Sequence, residues 1–259
     1  MLLALDIGNT EITVGLFQGD RITFHWRLTT NPDRTPDEWG AAIGAFLVHA
    51  GHSPNEVRSA ILASVAPGVT RSLMAGVQAC TACLPVSVDP RSPLPITLDV
   101  DEPLSVGADR IVNALAALEL FHADTVIVDF GTATTFDCIT ADRRFIGGAI
   151  MPGLRTSADQ LTTRAAKLPA TELTPPERAI GRRTEECIQA GVLFGAADAA
   201  DGMLRRILRE WPNPTPPKVV ATGGLASIVA PHTELIHDVD PDLTLVGLRI
   251  AARHLGLPR

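Results

Sequence analysis

The sequence predicts an α/β protein made of two similar units. Two stretches carry this prediction, Leu5-Asp6-Ile7-Gly8-Asn9-Thr10 and Val128-Asp129-Phe130-Gly131-Thr132-Ala133-Thr134, and the second begins 123 positions after the first. In each, an apolar run ends at an aspartate, a glycine follows two positions later, and small hydroxyl or amide side chains come next. A β-rich run, a polar turn and a third strand-like run then follow in both copies. A duplicated strand-turn-strand with an acid and a glycine on its turn indicates two domains that bring their turns together over one ligand.

The first unit opens with a predicted three-stranded meander over 2–7, 11–17 and 21–28, with Gly19-Asp20 as a tight turn. Helices are predicted where apolar residues recur on one face. The remaining predicted elements are a helix over 36–50, a strand over 59–64, a helix over 69–83, a strand over 85–88, a loop or edge over 90–103 and a helix over 104–121. The apolar faces of the first and third helices are Trp39, Ile43, Phe46 and Leu47, and Ile111, Leu115, Leu118 and Phe121.

The second unit opens at Thr125 and repeats the meander through Ile150. Its further predicted elements are a helix over 154–166, an irregular stretch over 169–176, a helix over 185–211, a proline-rich break over 212–217, a strand over 219–221 and a helix over 225–230. A last helix over 243–255 is expected to return to the first unit. The predicted domains are therefore residues 1–120 and residues 121–242, with the segment 243–259 as a candidate addition to the first.

Composition excludes several classes of protein. The 259 residues carry a net charge of −7, which argues against general binding to nucleic acid or to membrane surfaces. No apolar run has the roughly 20 residues that a membrane helix needs, and the N-terminus has no basic start of a signal peptide, so we expect a cytoplasmic protein. The four cysteines do not make a disulfide framework. Cys80-Thr81-Ala82-Cys83 is interpreted as a pair of buried structural thiols, with a redox or metal role as the alternative.

The repeated turns suit a polyphosphate ligand. Glycine lets the backbone approach closely, successive N–H groups can face phosphate oxygens, and the hydroxyls of Thr10, Thr132, Thr134 and Thr135 add donors. The aspartates would repel phosphate, so their use is to hold a cation such as Mg²⁺, which usually takes one or two protein carboxylates. A single turn of this composition could be an ordinary hairpin turn. Two copies at matching places favour the functional interpretation.

These turns, together with Ala221-Thr222-Gly223-Gly224, resemble the phosphate and adenosine motifs of the acetate and sugar kinase, heat-shock 70 and actin superfamily. The chain is more closely similar to the type III pantothenate kinase family, in motifs that span almost its full length. The motifs beyond the two turns are Gly107-Ala108-Asp109-Arg110, Gly147-Gly148-Ala149-Ile150-Met151-Pro152-Gly153-Leu154 and the stretch 181–191 with Thr184. The resemblance implies a duplicated ribonuclease H-like, actin-like fold of two domains with a nucleotide cleft between them.

The resemblance also implies a cofactor set of ATP, Mg²⁺ and a monovalent cation, K⁺ or NH₄⁺. Asp6 would help to place Mg²⁺, and Asp129 would bind the monovalent cation. The residues implied in ATP binding are Asp6, Ile7, Gly8, Asn9, Thr10, Glu11, Ile12, Thr13, Thr132, Gly223 and Gly224.

For the acceptor, the resemblance implies pantothenate as substrate, with Asp109 as the proton acceptor and 4'-phosphopantothenate, the start of coenzyme A synthesis, as product. Gly107, Ala108, Asp109 and Arg110 would contact pantothenate, as would Thr184 across a homodimer interface. The chain departs from the family at Val100, where members usually carry a tyrosine of the pantothenate pocket, and it has no tyrosine at all.

Other interpretations of these residues stay open. Asp109 could be a helix-terminal acid that only stabilises its helix through the helix dipole. Arg110 could form a surface salt bridge. The protein could be a non-catalytic nucleotide-binding regulatory homologue, which the missing tyrosine favours, or a kinase for another small hydroxyl acid.

Overall fold

The computed structural model describes residues 1–165 and 167–258, and these form two compact units. Unit 1 comprises residues 1–120 and the C-terminal segment from Leu243, and unit 2 comprises residues 121–242. None of the helices in the described ranges is both long enough and apolar enough to cross a membrane.

The elements follow the chain in this order. Residues 1–120 form β1 (Leu2–Ile7), β2 (Glu11–Gln18), β3 (Arg21–Thr29), α1 (Pro36–His49), β4 (Ser59–Ser64), α2 (Pro67–Thr81), β5 (Val86–Ser87), β6 (Thr97–Leu98) and α3 (Ala108–Phe121). Residues 121–242 form β7 (Thr125–Phe130), β8 (Ala133–Thr140), β9 (Arg144–Pro152), α4 (Leu154–Arg164), α5 (Thr184–Arg209), β10 (Lys218–Thr222), α6 (Ala226–Val229) and β11 (Asp238–Val239). The last element is α7 (Leu243–His254).

The two units repeat one sheet topology. In unit 1 the strands pair in the order β3-β2-β1-β4-β5, with β1, β2 and β3 antiparallel and β1, β4 and β5 parallel. In unit 2 the strands pair as β9-β8-β7-β10-β11, with the same pattern of directions. The prediction of a duplicated ribonuclease H-like fold is therefore confirmed at the level of topology.

The central strand of unit 1 is buried on both faces, which explains its continuous apolar run. Leu3, Leu5 and Ile7 pack with the buried residues of α1 and α2. On the other face lies α7, where a Cβ on Gly15 would come within 2.9 Å of Leu245 Cδ1. Helices therefore pack on both faces of the sheet around β1.

Helix α1 begins where the sequence predicts, at Pro36, because a capping box precedes it. The Thr35 side chain accepts a hydrogen bond from the Glu38 amide, and the Glu38 carboxylate accepts one from the Thr35 amide at 2.7 Å. Reciprocal caps of this kind satisfy two amides that a helix start leaves without partners.

The prediction for α3 was wrong in two respects: the helix starts later than residue 104, and it is buried on more than one face. Residues 103–105 form a separate 3₁₀ turn, and α3 begins at Ala108, with the Gly107 carbonyl accepting the first helical hydrogen bond from Ile111 at 3.2 Å. The helix is not amphipathic, since Val112, Ala114 and Ala116 on its other sides are also fully buried. Helix α7 supplies part of this cover, because Gly247 lies against the Val112 backbone.

Smaller differences occur in unit 2. Helix α4 ends at Arg164, and Ala166, the predicted last residue of that helix, lies outside the described residues. The helix predicted over 225–230 is a single α-helical turn followed by a 3₁₀ turn over Ala230–His232. Strand β11 has only two residues, too few for a recognisable pattern in the sequence.

Candidate functional site

The β1–β2 turn of unit 1 is a tight loop fixed from outside by Thr30. The Gly8 amide donates to the Glu11 carbonyl at 3.0 Å, which closes the turn. The Thr30 hydroxyl donates to the Gly8 carbonyl at 2.7 Å, and the Thr30 amide donates to the Thr10 carbonyl at 3.0 Å. Thr30 lies just beyond β3, so sequence reasoning missed it. These bonds leave Asn9 and Thr10 exposed at the tip of the loop.

The side chains of the first motif divide between core and surface. Ile7 and Ile12 are fully buried, so only their backbone atoms could contact a nucleotide. Asp6 and Thr13 are half-buried and face each other in the β1–β2 register. Glu11 is exposed and pairs with Arg27 at 3.2 Å. The part of this motif open to a ligand is thus the loop backbone, Asp6, and the polar side chains of Asn9, Thr10 and Thr13.

The corresponding β7–β8 turn of unit 2 is fixed by the start of α4. The Gly131 amide donates to the Ala133 carbonyl at 3.0 Å. The Thr132 carbonyl accepts from the Gly153 amide at 3.2 Å and from the Thr156 hydroxyl at 2.6 Å. Gly153 is required there, because an added Cβ would overlap the carbonyl oxygens of Gly131 and Thr132. The Thr132 side chain stays exposed.

The glycine turn after β10 packs against the half-buried Asp129. Gly223 has a φ of +91°, and its Cα lies so close that an added Cβ would overlap Asp129 Oδ1 and approach the Phe130 backbone to 2.8 Å. The Leu225 amide donates to the Phe130 carbonyl at 3.2 Å. Unit 2 therefore brings Asp129, Thr132 and Gly223, which are distant in sequence, to one end of its sheet.

Asp109 is the second residue of α3, and its carboxylate occupies the space that Gly107 leaves by having no side chain. A Cβ on Gly107 would lie 2.5 Å from Asp109 Oδ1. Oδ1 also accepts a hydrogen bond from the Arg110 amide at 2.8 Å. Burial raises the pKa of Asp109, and this effect exceeds the lowering by the Arg110 amide and guanidinium. Burial therefore decides the direction in which the pKa of Asp109 shifts. An acid that only stabilised the start of its helix would show a lowered pKa instead.

A pocket of about 780 Å³ opens in unit 1 beside the start of α3. This volume is within the range of about 300–1,000 Å³ that is usual for small-molecule sites. The polar side chains in its lining are Ser64, Thr70, Arg71, Gln78, Ser87 and Asp89, and Gly107 and Ala108 form one edge. Arg71 is the only cationic residue among those that line this pocket. We call this the α2–α3 pocket.

Two further predicted site residues lie elsewhere. Val100 is half-buried in a bend between β6 and α3. Thr184 is the exposed first residue of α5 in unit 2. The segment before it is held by Glu186, which accepts from the Arg182 amide at 2.8 Å and pairs with the Arg183 guanidinium at 2.9 Å. Arg183 is thus engaged in an ordinary helix-start ion pair.

The carboxylates of the two turns suit cations that take few of their ligands from the protein. Among residues 1–165 and 167–258, no three His, Cys, Asp or Glu side chains gather in a way that could hold a metal ion. Asp6 and Asp129 are single half-buried carboxylates beside polar turns, a setting that fits Mg²⁺ with its retained waters or a monovalent cation. Cys80 and Cys83 are free thiols, and Cys83 Sγ donates to the Val57 carbonyl at 3.0 Å.

Comparison with solved structures identifies the fold. The activator of 2-hydroxyisocaproyl-CoA dehydratase from Clostridium difficile, solved with bound ADPNP, superposes with a TM-score of 0.56 at 14% identity, over 98% of this chain and 93% of that one. The ROK hexokinase from Thermus thermophilus superposes with a TM-score of 0.52 at 14% identity, over 98% of both chains. At this identity the likeness concerns the fold alone, and it confirms the actin-like class.

Comparison of sequences identifies the family. A family model described as type III pantothenate kinase matches residues 2–206. A type III pantothenate kinase of Thermomicrobium roseum is 43% identical over 251 residues, which covers 97% of this chain and 96% of the relative. The motifs, the duplicated actin-like fold and this full-length similarity agree, and the chain belongs to the type III pantothenate kinase family of enzymes.

Proposed function

We propose that the protein transfers the γ-phosphoryl group of ATP to the primary hydroxyl of pantothenate and forms 4'-phosphopantothenate, the first step of coenzyme A synthesis. The placement of the Asp109 carboxylate is the observation that carries this proposal. The carboxylate lies against Gly107, and Gly107 and Ala108 line a pocket of small-molecule size. The relatives of similar length that are named type III pantothenate kinase supply the choice of substrate.

In this proposal the β1–β2 loop binds the ATP phosphates. The exposed backbone around Asn9 and Thr10, held by Thr30, offers N–H groups to phosphate oxygens, and the Thr10 hydroxyl adds a donor. Asp6 would hold Mg²⁺ directly or through water. In unit 2, Thr132, Gly223 and Gly224 are the residues that we propose to contact ATP. Bound Mg²⁺ supplies charge neutralisation and orientation of the phosphates.

Asp109 acts as general base toward the acceptor hydroxyl. Phosphoryl transfer has a loose transition state, so the carboxylate mainly orients the hydroxyl and accepts its proton late. The raised pKa suits this role, because a more basic carboxylate is a better proton acceptor. Arg110, next to it, would contact the acceptor or the transferring group through its guanidinium.

Asp129 would hold the monovalent cation, K⁺ or NH₄⁺. One half-buried carboxylate, with the Gly223 backbone packed against it, supports a site for a singly charged ion. The proposal also includes a homodimer, in which the exposed Thr184 of one copy completes the pantothenate site of the other.

The pH profile of kcat/KM for pantothenate should show an acid limb governed by Asp109. Because burial raises its pKa above the usual value, the limb should lie above about 3.9, the pKa of an unperturbed aspartate. Activity should fall as the pH decreases through the raised pKa, since the protonated carboxyl cannot accept a proton. Initial rates in a series of buffers of constant ionic strength measure this, and a profile flat down to pH ~4 would contradict it.

Arg71 should select for the carboxylate of pantothenate. It is the cationic residue that lines the α2–α3 pocket, and pantothenate carries a carboxylate at the end away from its reacting hydroxyl. Arg71→Gln should raise the KM for pantothenate about 10-fold or more, the loss expected for one charge-assisted contact, with kcat and the KM for ATP nearly unchanged. Pantothenol, which lacks the carboxylate, is the matched acceptor: its KM should not change. Equal effects on both acceptors would place the substrate carboxylate elsewhere.

The function is tested by ADP release from Mg-ATP, with and without pantothenate, in K⁺ buffer and in Na⁺ buffer. Release that requires pantothenate and is faster in K⁺ supports the proposal. Absence of release under all conditions would favour a regulatory nucleotide-binding protein, to which the valine at position 100 lends some support. Release only with another hydroxyl acid would change the substrate and keep the reaction class.

A further inference from the structure

Thr222, the last residue of β10, has a buried hydroxyl with no protein partner. The residue has no exposed surface, and among the described residues no atom forms a hydrogen bond with Thr222 Oγ1. Other buried threonines do have partners: Thr125 Oγ1 donates to the Ala123 carbonyl at 3.0 Å, and Thr81 Oγ1 donates to the Val77 carbonyl at 2.8 Å. Since a buried hydroxyl without a partner is costly, its position indicates a ligand that the chain itself does not supply.

The register of the sheet puts this hydroxyl beside Asp129. Strands β7 and β10 are parallel neighbours, and Thr222 pairs with Asp129. Paired residues on adjacent parallel strands project to the same face, with the strands about 4.8 Å apart. The next residue, Gly223, turns with positive φ directly against Asp129 Oδ1. A neutral hydroxyl and a carboxylate therefore lie side by side at the end of the sheet.

We propose that Thr222 Oγ1 is a ligand of the monovalent cation that Asp129 holds. The inference rests on the proposed function for the presence of such an ion and names a residue that positions it. Oxygen ligands suit a hard cation, and one carboxylate with one neutral hydroxyl balances a single positive charge.

The test uses the full chain without nucleotide or pantothenate and measures thermal unfolding against K⁺ concentration, with tetramethylammonium chloride to hold ionic strength constant. K⁺ should raise the Tm of the wild type, because a ligand that binds only the folded state stabilises it. Thr222→Val, which keeps the shape and removes the hydroxyl, should require at least ~10-fold more K⁺ for the same rise. Without K⁺ it should be at least as stable as the wild type, since no hydroxyl is left without a partner. Thr222→Ser should retain the K⁺ response.

Thr125→Val is the matched control, a buried threonine at the start of the neighbouring strand β7 whose hydroxyl is already bonded within the protein. It should lose stability equally in every salt and keep the wild-type response to K⁺. An unchanged K⁺ response in Thr222→Val, or no K⁺ response in the wild type, would overturn the inference. Pantothenate-dependent ADP release by the wild type, measured in parallel, shows whether the proposed function survives that result.

Discussion

Asp109→Asn should lower kcat for pantothenate phosphorylation by at least about 100-fold, the usual low end for loss of a general base, while the Kd for ATP stays unchanged. The amide has nearly the shape of the carboxylate and can still fill the space beside Gly107, but it cannot accept a proton. Single-turnover phosphoryl transfer and equilibrium binding of a non-hydrolysable ATP analogue measure the two quantities separately. Turnover near that of the wild type would rule out the role.

The stability of the same variant separates catalysis from folding. A carboxyl whose pKa is raised in the folded state stabilises the fold below its unfolded pKa, and this contribution is lost as the pH rises through the folded pKa. Above the folded pKa the buried charge of Asp109 is therefore unfavourable, and in that pH range Asp109→Asn should unfold at the same Tm as the wild type or higher. Asp101→Asn, at an exposed aspartate eight positions earlier, is the control and should change neither activity nor Tm.

Gly247→Ala should destabilise unit 1 by about 3 kcal/mol, near the upper end of the cost of overpacking a core. An added Cβ would overlap the Val112 carbonyl oxygen and lie 2.6 Å from the Val112 carbonyl carbon, which is backbone and cannot rotate away. Helices α7 and α3 are also joined by a hydrogen bond from the Thr244 hydroxyl to Asn113 Oδ1 at 2.8 Å. Because α3 carries Asp109, the variant should lose activity with stability. Denaturant unfolding measures the effect.

A second helical glycine gives the opposite expectation. Gly202, in the interior of α5, has no atom within 4 Å of its added Cβ, so Gly202→Ala should stabilise the protein by about 0.5–1 kcal/mol through its better helix propensity. If both variants lose similar stability, the close approach of α7 to α3 is not the cause.

Local patterns predicted the features that depend on neighbouring residues. The two aspartate-glycine turns, the meanders around them and the start of α1 at Pro36 all follow from residues within a few positions of each other. The repeated turns also led to the actin-like fold, because the same local unit occurs twice. The motif Gly107-Ala108-Asp109-Arg110 named the acceptor through its resemblance to one family rather than through its spacing.

Contacts between distant residues could not be predicted in this way. Thr30 holds the β1–β2 loop from beyond the end of β3, and Gly153 holds the β7–β8 loop from the start of α4. The full burial of α3 depends on α7, which lies more than 120 positions later in the chain. Helix periodicity reveals one apolar face, whereas cover on a second face depends on the fold. The raised pKa of Asp109 has the same origin, since burial cannot be read from a helix position alone.

The central claim is that the acceptor of the phosphoryl group is pantothenate, and ³¹P NMR of one reaction mixture tests it most directly. With Mg-ATP, K⁺ and pantothenate, we expect the ATP signals to be replaced by those of ADP and one new phosphomonoester, in equal amounts. The phosphomonoester should be absent without pantothenate and strongly reduced with Asp109→Asn. ADP accompanied only by inorganic phosphate, or ATP left intact in the presence of pantothenate, would contradict the claim.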